Sequence, residues 1–578
     1  MIKVDNLSFS FSQKDLYQNI SFTIEDGEHC AFIGTSGSGK STLIDILRSP
    51  DRYMYDGTLE ISPSLRIGYV SQFLPPDHTK DLTVIEFISE EFIKLQHQIT
   101  EVCTEMESSL EIDALLIQYQ EALDAFHAIG GEDFESNMNK QLMLANLNKQ
   151  ADLPVSKLSG GEFKLIQVIK EMLTGPDLMI MDEPDVFLDF ENLNSLKDLI
   201  NSHKGSMLVI THNRYLLNHC FNKILHLENK LLQEFNGRYL DYNFSLLQSK
   251  IELMELADAD TQEIERNEVL IQKLRSAATI FTEASRGKSL KARIKIQERL
   301  EARRIKVPFV EIKQPNIRFV TDTPSENTLC LKVKDYHAAF DELLLEHVNF
   351  ELNATDKVAL IGANGTGKTT LLRDIYQHHH AVETPDYVTM AFLSQFQGEM
   401  LEESAFVSDE FFQMGFETYD EITAWLSNYG FDEKILYQKI GSLSGGEKNL
   451  LQLAKIGAGR ANLLLLDEPT SHLDTYSQLA LEQAIANYKG AILMISHDFY
   501  TIVNCMDYVL IIEDQTIRKL SMRKFRQRTY ARHFDKDYLE TEQKKKAVET
   551  KIELALKDHD FTNAKVLSEE LEKLLQSL

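Results

Sequence analysis

Two apolar runs, Ala31-Phe32-Ile33 and Val358-Ala359-Leu360-Ile361, are each followed by a Gly-rich stretch and then by a helical pattern. That order predicts strand, loop and helix. Further apolar strands end in Asp182-Glu183 and Asp467-Glu468, and others in Thr211-His212 and Ser496-His497. Between Arg238 and Arg286 the pattern changes, because neither Gly nor Pro occurs there, and after Gly287 none recurs until Pro308. Leu246, Leu247, Ile251, Met254 and Ile264, then Ile294, Leu300 and Ile305, lie among charged residues as on two helices that share an apolar stripe. The segment is expected to be a helical hairpin. A helix of roughly 36 residues spans roughly 54 Å, so a turn near Phe281 to Gly287 would project far from its base. The last residues, Leu567, Leu571, Leu574, Leu575 and Leu578, also fall at helical spacing and predict a short coiled-coil hairpin packed on its own partner helix.

The same series of motifs occurs twice. Gly34-Thr35-Ser36-Gly37-Ser38-Gly39-Lys40-Ser41, followed by Thr42, and Gly362-Ala363-Asn364-Gly365-Thr366-Gly367-Lys368-Thr369, followed by Thr370, both fit the phosphate-loop pattern GxxxxGK[ST]. Gln72 and Gln395 come next, each within Ser-Gln-Phe. Leu158-Ser159-Gly160-Gly161-Glu162 and Leu443-Ser444-Gly445-Gly446-Glu447 follow, and then the acidic pairs and the histidines. From Gly160 to Gly445, Glu183 to Glu468 and His212 to His497 the offset is the same every time, the mark of a duplication. The stretch from the glutamine to the Leu-Ser-Gly-Gly-Glu segment is much longer in the first copy, Gln72 to Leu158, than in the second, Gln395 to Leu443, so the first carries an insertion. It lies within about 80–145 and reads as helical from Phe87, Phe92, Ile93, Leu95, Ile99 and Val102.

This doubled series resembles the ATP-binding cassette superfamily over about four-fifths of the chain, and Leu-Ser-Gly-Gly-Glu is the signature that separates that superfamily from other phosphate-loop ATPases. The resemblance implies an α/β fold, with two P-loop cassette domains in tandem joined by a long helical hairpin, and ATP with Mg²⁺ as ligands. Lys40 and Lys368 would reach the β and γ phosphates. Ser41 and Thr369 would hold Mg²⁺, with Asp182, Asp467, Gln72 and Gln395 completing its surroundings. Glu183 and Glu468 would polarise the attacking water, and His212 and His497 would contact the γ phosphate. Phe11 and Phe340 stand where the superfamily places an aromatic ring against adenine. The signature of one cassette would complete the site of the other. Lys40, Gln72, Glu183 and His212 would thus combine with Ser444 and Gly446, and Lys368, Gln395, Glu468 and His497 with Ser159 and Gly161. The copies differ after the acidic pair, where the second reads Pro469-Thr470-Ser471-His472-Leu473-Asp474 and the first Pro184-Asp185-Val186-Phe187-Leu188-Asp189.

Composition narrows the setting. A chain of 578 residues exceeds what a single core sustains. The expected organisation is a first cassette over 1–240, a linker over 241–310, a second cassette over 311–525 and a helical tail over 526–578. Met1 is followed by no signal-like apolar region, no charge-free run approaches the roughly 20 residues of a membrane span, and five scattered cysteines form no CxxC pair. A cytoplasmic protein without disulfides is expected.

The net charge of −29 argues against a polyanionic partner, yet residues 271–306 hold eleven Lys or Arg against three Glu. Residues 518–528 add six more basic residues. Two fused cassettes, an insertion in the first, a basic helical linker and the Thr-Ser-His-Leu-Asp run of the second together resemble the ABC-F family of translation factors. The Phe-Asn-Gly-Arg-Tyr-Leu-Asp-Tyr run at 235–242 is similar to that family's entry into its linker. The resemblance implies a monomer that closes its own cassettes on ATP in the ribosomal E site. Its linker, through Arg286, Lys288, Lys291 and Arg293, would face ribosomal and transfer RNA, and its role would be in assisting translation or in antibiotic resistance. Two other readings fit the motifs, an ATPase subunit of a membrane transporter and a DNA-binding cassette ATPase. Lys40→Ala combined with Lys368→Ala is expected to abolish ATP hydrolysis, and turnover by the purified double variant at the unmodified rate would contradict the phosphate-loop reading.

Overall fold

The computed structural model describes residues 1–11, 14–63, 65–72, 82–108, 112–186, 188–280, 295, 315–321, 328–339, 343–395, 400–533 and 536–576. Side chains are described for these except 257, 260–265, 273–280, 530–533 and 536–543. The chain divides into two compact units, residues 1–236 with 313–529, and residues 237–312 with 530–578.

The first unit holds both cassettes, and the duplication is visible in their sheets. In the first cassette the strands run Ile67–Val70, Leu178–Asp182, Ser206–Ile210, His29–Gly34, Lys223–Glu228, Leu231–Asn236. In the second they run Met390–Leu393, Leu463–Asp467, Ala491–Ile495, Lys357–Ile361, Tyr508–Glu513, Thr516–Ser521. Five strands are parallel and the last is antiparallel in both. The strands Leu178–Asp182 and Ala491–Ile495 are buried at every position, which is why they read as unbroken apolar runs rather than alternating ones. A three-stranded antiparallel sheet completes each cassette, built on Ile2–Phe11, Lys14–Ile24 and Asp56–Ile61, and on Leu329–Ala339, Leu343–Asn353 and Val382–Glu383. Each core lies between its two sheets and the helix that follows the phosphate loop, Lys40–Arg48 or Lys368–Tyr376. Chemistry therefore gathers at the carboxyl ends of the parallel strands, where such sheets bind ligands.

The insertion is confined by one pair of contacts. A β-bridge joins Thr83 to Pro154 in the first cassette and Phe406 to Lys439 in the second, and the first bridge closes a much longer segment than the second. The whole surplus lies inside the first bridge. Two helices found only there, Glu90–Ser108 and Ile112–Ala128, supply it. Phe92 anchors the pair, stacked on Phe134 at 4.4 Å and tilted against Phe126 at 5.5 Å. Ile93, in contrast, is half exposed. No described helix is long and apolar enough to cross a membrane, and all five cysteines are free.

The second unit departs from expectation in two respects. The linker's outgoing helix is longer, 42 residues from Tyr239 to Ile280, or about 63 Å, because the Gly- and Pro-free run begins the helix within the Arg-Tyr-Leu-Asp-Tyr segment. The return arm, with Arg286, Lys288, Lys291 and Arg293, lies outside the described residues. The tail helices, Lys536–Lys557 and Phe561–Leu575, pack on the linker helix as well as on each other. Leu240, Phe244, Leu247, Ile251 and Met254 form a stripe along that helix that shares a core with Ile552, Leu556, Leu571 and Leu575. Lys565 pairs with Glu255 at 2.6 Å and His559 with Asp258 at 3.1 Å at the rim. Two short helices bury little by themselves, so a third apolar face is what closes this core.

Candidate active site

Each phosphate loop leaves an inner strand and enters a helix, so its backbone amides converge on one point. Gly39 turns with φ 103°, and a Cβ there would lie 2.9 Å from the Tyr17 hydroxyl, which donates to the Gly39 carbonyl. Tyr17 thus supports the loop from beneath. The Lys40 ammonium donates to the carbonyls of Gly34 at 2.8 Å and Thr35 at 3.0 Å, and Lys368 to those of Gly362 and Ala363, both at 2.8 Å. Both lysines are buried, and burial lowers their pKa. Phe11 ends its strand half exposed, edge-on to Phe9 at 5.1 Å. Phe340 lies outside the described residues.

The acidic pairs sit at strand ends. Asp182 and Asp467 close fully buried strands, and the next residue in each, Glu183 or Glu468, adopts a left-handed backbone with φ 46° and 49°. That conformation costs an ordinary side chain on the order of 1 to 3 kcal/mol and persists only where neighbours impose it. Here the neighbours are visible, because the Glu183 amide donates to the Ile210 carbonyl at 2.9 Å and that of Glu468 to Ile495 at 3.0 Å. His212 and His497 follow the adjacent strands. Burial pulls His212 to about 4, assisted by Lys40, and His497 to about 3, assisted by Lys368, so both rings are neutral near pH 7. Among the described residues neither ring nitrogen of buried His212 has a hydrogen-bond partner, an arrangement that fits a ligand oxygen.

The two cassettes complete one another. Asp474 of the second accepts the Ser36 amide of the first at 3.3 Å, and Asp189 of the first accepts the Asn364 amide of the second at 3.3 Å. Gly446 lies so close to the opposite loop that a Cβ would meet Ser36 Oγ at 2.5 Å and the His472 carbonyl at 2.6 Å. Lys40, Gln72, Glu183 and His212 of the expected first site are therefore brought together with Gly446. For the second site, a cavity of about 650 Å³ is lined by Lys368, Thr369, Gln395, Glu468 and His497 together with Gly160 and Gly161 of the first cassette. A buried ion cluster also crosses the interface. Arg214 donates to Glu482, and to Asp498 at 2.9 Å, with its guanidinium 4.8 Å from the Tyr500 ring centre. No motif announces Arg214, which follows Thr-His-Asn and reads as the start of a helix.

The second site is not a copy of the first. Gln72 Nε2 donates to Glu183 Oε2 at 2.5 Å, and His472 of the second cassette places Nδ1 3.2 Å from the same oxygen. Burial pushes the Glu183 carboxyl up, but His472, His212 and Lys40 outweigh it and hold the group at about 2. Burial and the neighbouring Asp467 raise Glu468 to about 8, against the opposing charge of Lys368. Beneath the first site, Lys164 is fully buried and donates to the carbonyls of Ser71 and Gln72, the latter at 3.1 Å, with burial lowering it to about 8. Asp185, raised by burial to about 6, accepts from Thr211 at 2.7 Å. At the constant offset these become Asn449 and Thr470, and Asn449 donates instead to the carbonyls of Pro469 and Ser471 at 3.1 and 2.7 Å. A neutral pair in one cassette is thus a charged pair in the other. The offset itself carried that signal.

Asp182 is hydrogen-bonded to Ser41, and Ser41, Gln72 and Asp182, like Thr369, Gln395 and Asp467, offer oxygen donors of the kind a magnesium ion takes. Residues 17–186 and 345–471, just over half of the chain, match the ABC transporter family. The chain belongs to that family, as a tandem ATP-binding cassette protein that binds and hydrolyses ATP, and members of the ABC-F family are among its relatives. It is 27% identical over 537 residues to ABC transporter F family member 5 of Arabidopsis thaliana, covering 89% of this chain and 75% of that one. It is also 27% identical over 516 residues to the energy-dependent translational throttle protein EttA of Escherichia coli K12, covering 87% and 90%. Its fold resembles that of the RNase-L Inhibitor, with a TM-score of 0.54 at 17% identity over 92% of each chain.

Opposite pKa shifts predict opposite stabilities without nucleotide. A carboxyl raised on folding loses stability as pH climbs from its unfolded value near 4.5 through about 8, whereas one lowered on folding contributes above 4.5 and fails only as pH falls toward 2. At pH 7 Glu468→Gln should therefore raise the Tm and Glu183→Gln should lower it, with the difference shrinking toward pH 4. Scanning calorimetry of both variants tests this, and shifts of equal sign at pH 7 would contradict the assignment.

Proposed function

We propose that this chain is a cytoplasmic, monomeric ABC-F ATPase that binds the ribosome at its E site when its two cassettes close on ATP and Mg²⁺, and leaves it after hydrolysis. The observation that carries this reading is the charge pattern, a surplus of eight positive charges over residues 271–306 in a chain of net charge −29, together with similarity over 87% of the chain to a protein named for throttling translation. The reading is also supported by the pairing of both cassettes within one chain.

In the proposed reaction Lys40 and Lys368 turn from their own loop carbonyls to the β and γ phosphates of ATP. Ser41, Asp182 and Gln72, with Thr369, Asp467 and Gln395, hold a magnesium ion, which neutralises phosphate charge when bound. Glu183 and Glu468 accept hydrogen bonds from the attacking water and orient it toward the γ phosphorus, and His212 and His497 donate to the γ oxygens. Ser444 and Gly446 seal the first site against water from the opposite cassette, and Ser159 and Gly161 seal the second. Loss of the γ phosphate removes the contacts that bridge the halves, and the cassettes part. The linker's Arg286, Lys288, Lys291 and Arg293 contact ribosomal and transfer RNA through phosphates and shape, not base sequence.

Glu183→Gln with Glu468→Gln should bind ATP without hydrolysing it and accumulate on ribosomes during sedimentation. Reversing charge at Arg286, Lys288, Lys291 and Arg293 should weaken that association more steeply as salt rises while leaving ATP affinity unchanged. A trapped variant that stays free of ribosomes in ATP, or that copurifies with a membrane protein or with DNA, would overturn the assignment.

A further inference from the structure

His472 of the second cassette reaches the Glu183 carboxylate of the first. It follows Glu468 by four residues, and its counterpart at the constant offset is Phe187. Its backbone is left-handed, with φ 61°, and the ring is braced from below by its own cassette's signature, since a Cβ on Gly445 would lie 3.3 Å from the imidazole Cγ. The braced ring crosses the interface to place Nδ1 3.2 Å from Glu183 Oε2 and 3.3 Å from Gln72 Nε2. With the 2.5 Å bond from Gln72 to Glu183, three side chains close a triangle. When Nδ1 carries the proton it donates to Glu183, and when Nε2 carries it Nδ1 accepts the second amide hydrogen of Gln72. Each tautomer holds one of the two groups directly from the second cassette, and the Gln72–Glu183 bond ties in the other.

At the equivalent place of the second site the sequence has Phe187, which lies outside the described residues. Phenylalanine offers no atom for either bond, and among the described residues nothing lies within 4 Å of a Cβ built on Gly160, the counterpart of Gly445. We infer that His472 is a positioning residue delivered in trans, aligning Glu183 and Gln72 for water activation at the Lys40 site and making turnover there conditional on a seated second cassette. The Lys368 site, which also draws on the opposite signature, has phenylalanine in place of this one contact. This inference rests on the proposed role of Glu183 as the group that polarises water.

The test isolates the first site by placing Glu468→Gln in every variant and measuring steady-state ATP hydrolysis with the affinity for a non-hydrolysable ATP analogue. His472→Ala should lower kcat by about ten- to a hundred-fold, the scale of a misaligned catalytic group, with KM and analogue affinity unchanged within two-fold. His472→Asn, whose side-chain amide occupies the place of Nδ1, should recover most of the loss. An unchanged kcat in His472→Ala, a matching rise in KM, or an Asn variant no better than Ala would each overturn the inference while leaving the ATPase reading standing. If His472→Ala fails to fold, the Asn variant decides, because a folded Asn variant with the Ala-type loss in an analogue-binding protein contradicts the positioning role. Absence of turnover with His472 intact would overturn the reading of Glu183 itself, and the inference with it.

Discussion

A glycine can lie against the opposite cassette's phosphate loop only because it carries no side chain. A Cβ on Gly446 would fall 2.5 Å from Ser36 Oγ, so the whole arrangement of the first site depends on that one missing atom. The close approach lets Asp474 reach the Ser36 amide and Asp189 reach that of Asn364, and it encloses the groups around Glu183 between two domains. Each such bond to an amide contributes only about 0.5 to 1.5 kcal/mol net, more where the acceptor is charged. An interface held at its active centres by a few bonds of this size can open. The buried Arg214 cluster is of a different kind, since removing one partner of such a cluster costs about 3 to 5 kcal/mol. On the proposed reading, the ligand's phosphates are the strongest bridge between the halves, and their loss is what releases them.

The duplication supplies an internal comparison that separates scaffold from specialisation. Both copies hold a glutamate in the left-handed region by the same amide bond to the neighbouring strand, so that strain belongs to the fold. What differs is what surrounds the carboxylate. Glu183 faces His472 and Gln72 and is held ionised, whereas Glu468 has Asp467 beside it and is pushed toward its neutral form. Lys164 and Asp185 in place of Asn449 and Thr470 change the charge beneath one site without changing the path of the strand above it. Equal folds therefore carry unequal chemistry.

Much of this was legible in the sequence because strand ends set the positions of side chains almost rigidly. The constant offset between the copies placed both sets of motifs at equivalent strand ends, and the size of the insertion matches the difference between the two bridged segments. Contacts across an interface were not legible in the same way. His472 reaches Glu183 only through a left-handed turn and the approach of two domains, neither of which leaves a pattern along the chain. Arg214 is hidden for the same reason, since its partners Glu482 and Asp498 lie in the other cassette. The helical spacing of the tail's leucines implies a self-contained hairpin, but spacing does not say how many helices share a stripe. Leu240 to Met254 of the linker helix supply the missing face.

On the proposed reading each ATP site draws on both cassettes. That sharing is tested most directly by widening one signature glycine and asking which site fails. With Gly446→Val, vanadate trapping of a photoreactive ATP analogue, followed by peptide mapping, should lose label from the cassette of Lys40 and retain it in the cassette of Lys368. Loss of label from the Lys368 cassette alone would show that each signature serves its own phosphate loop, and would overturn the shared-site arrangement.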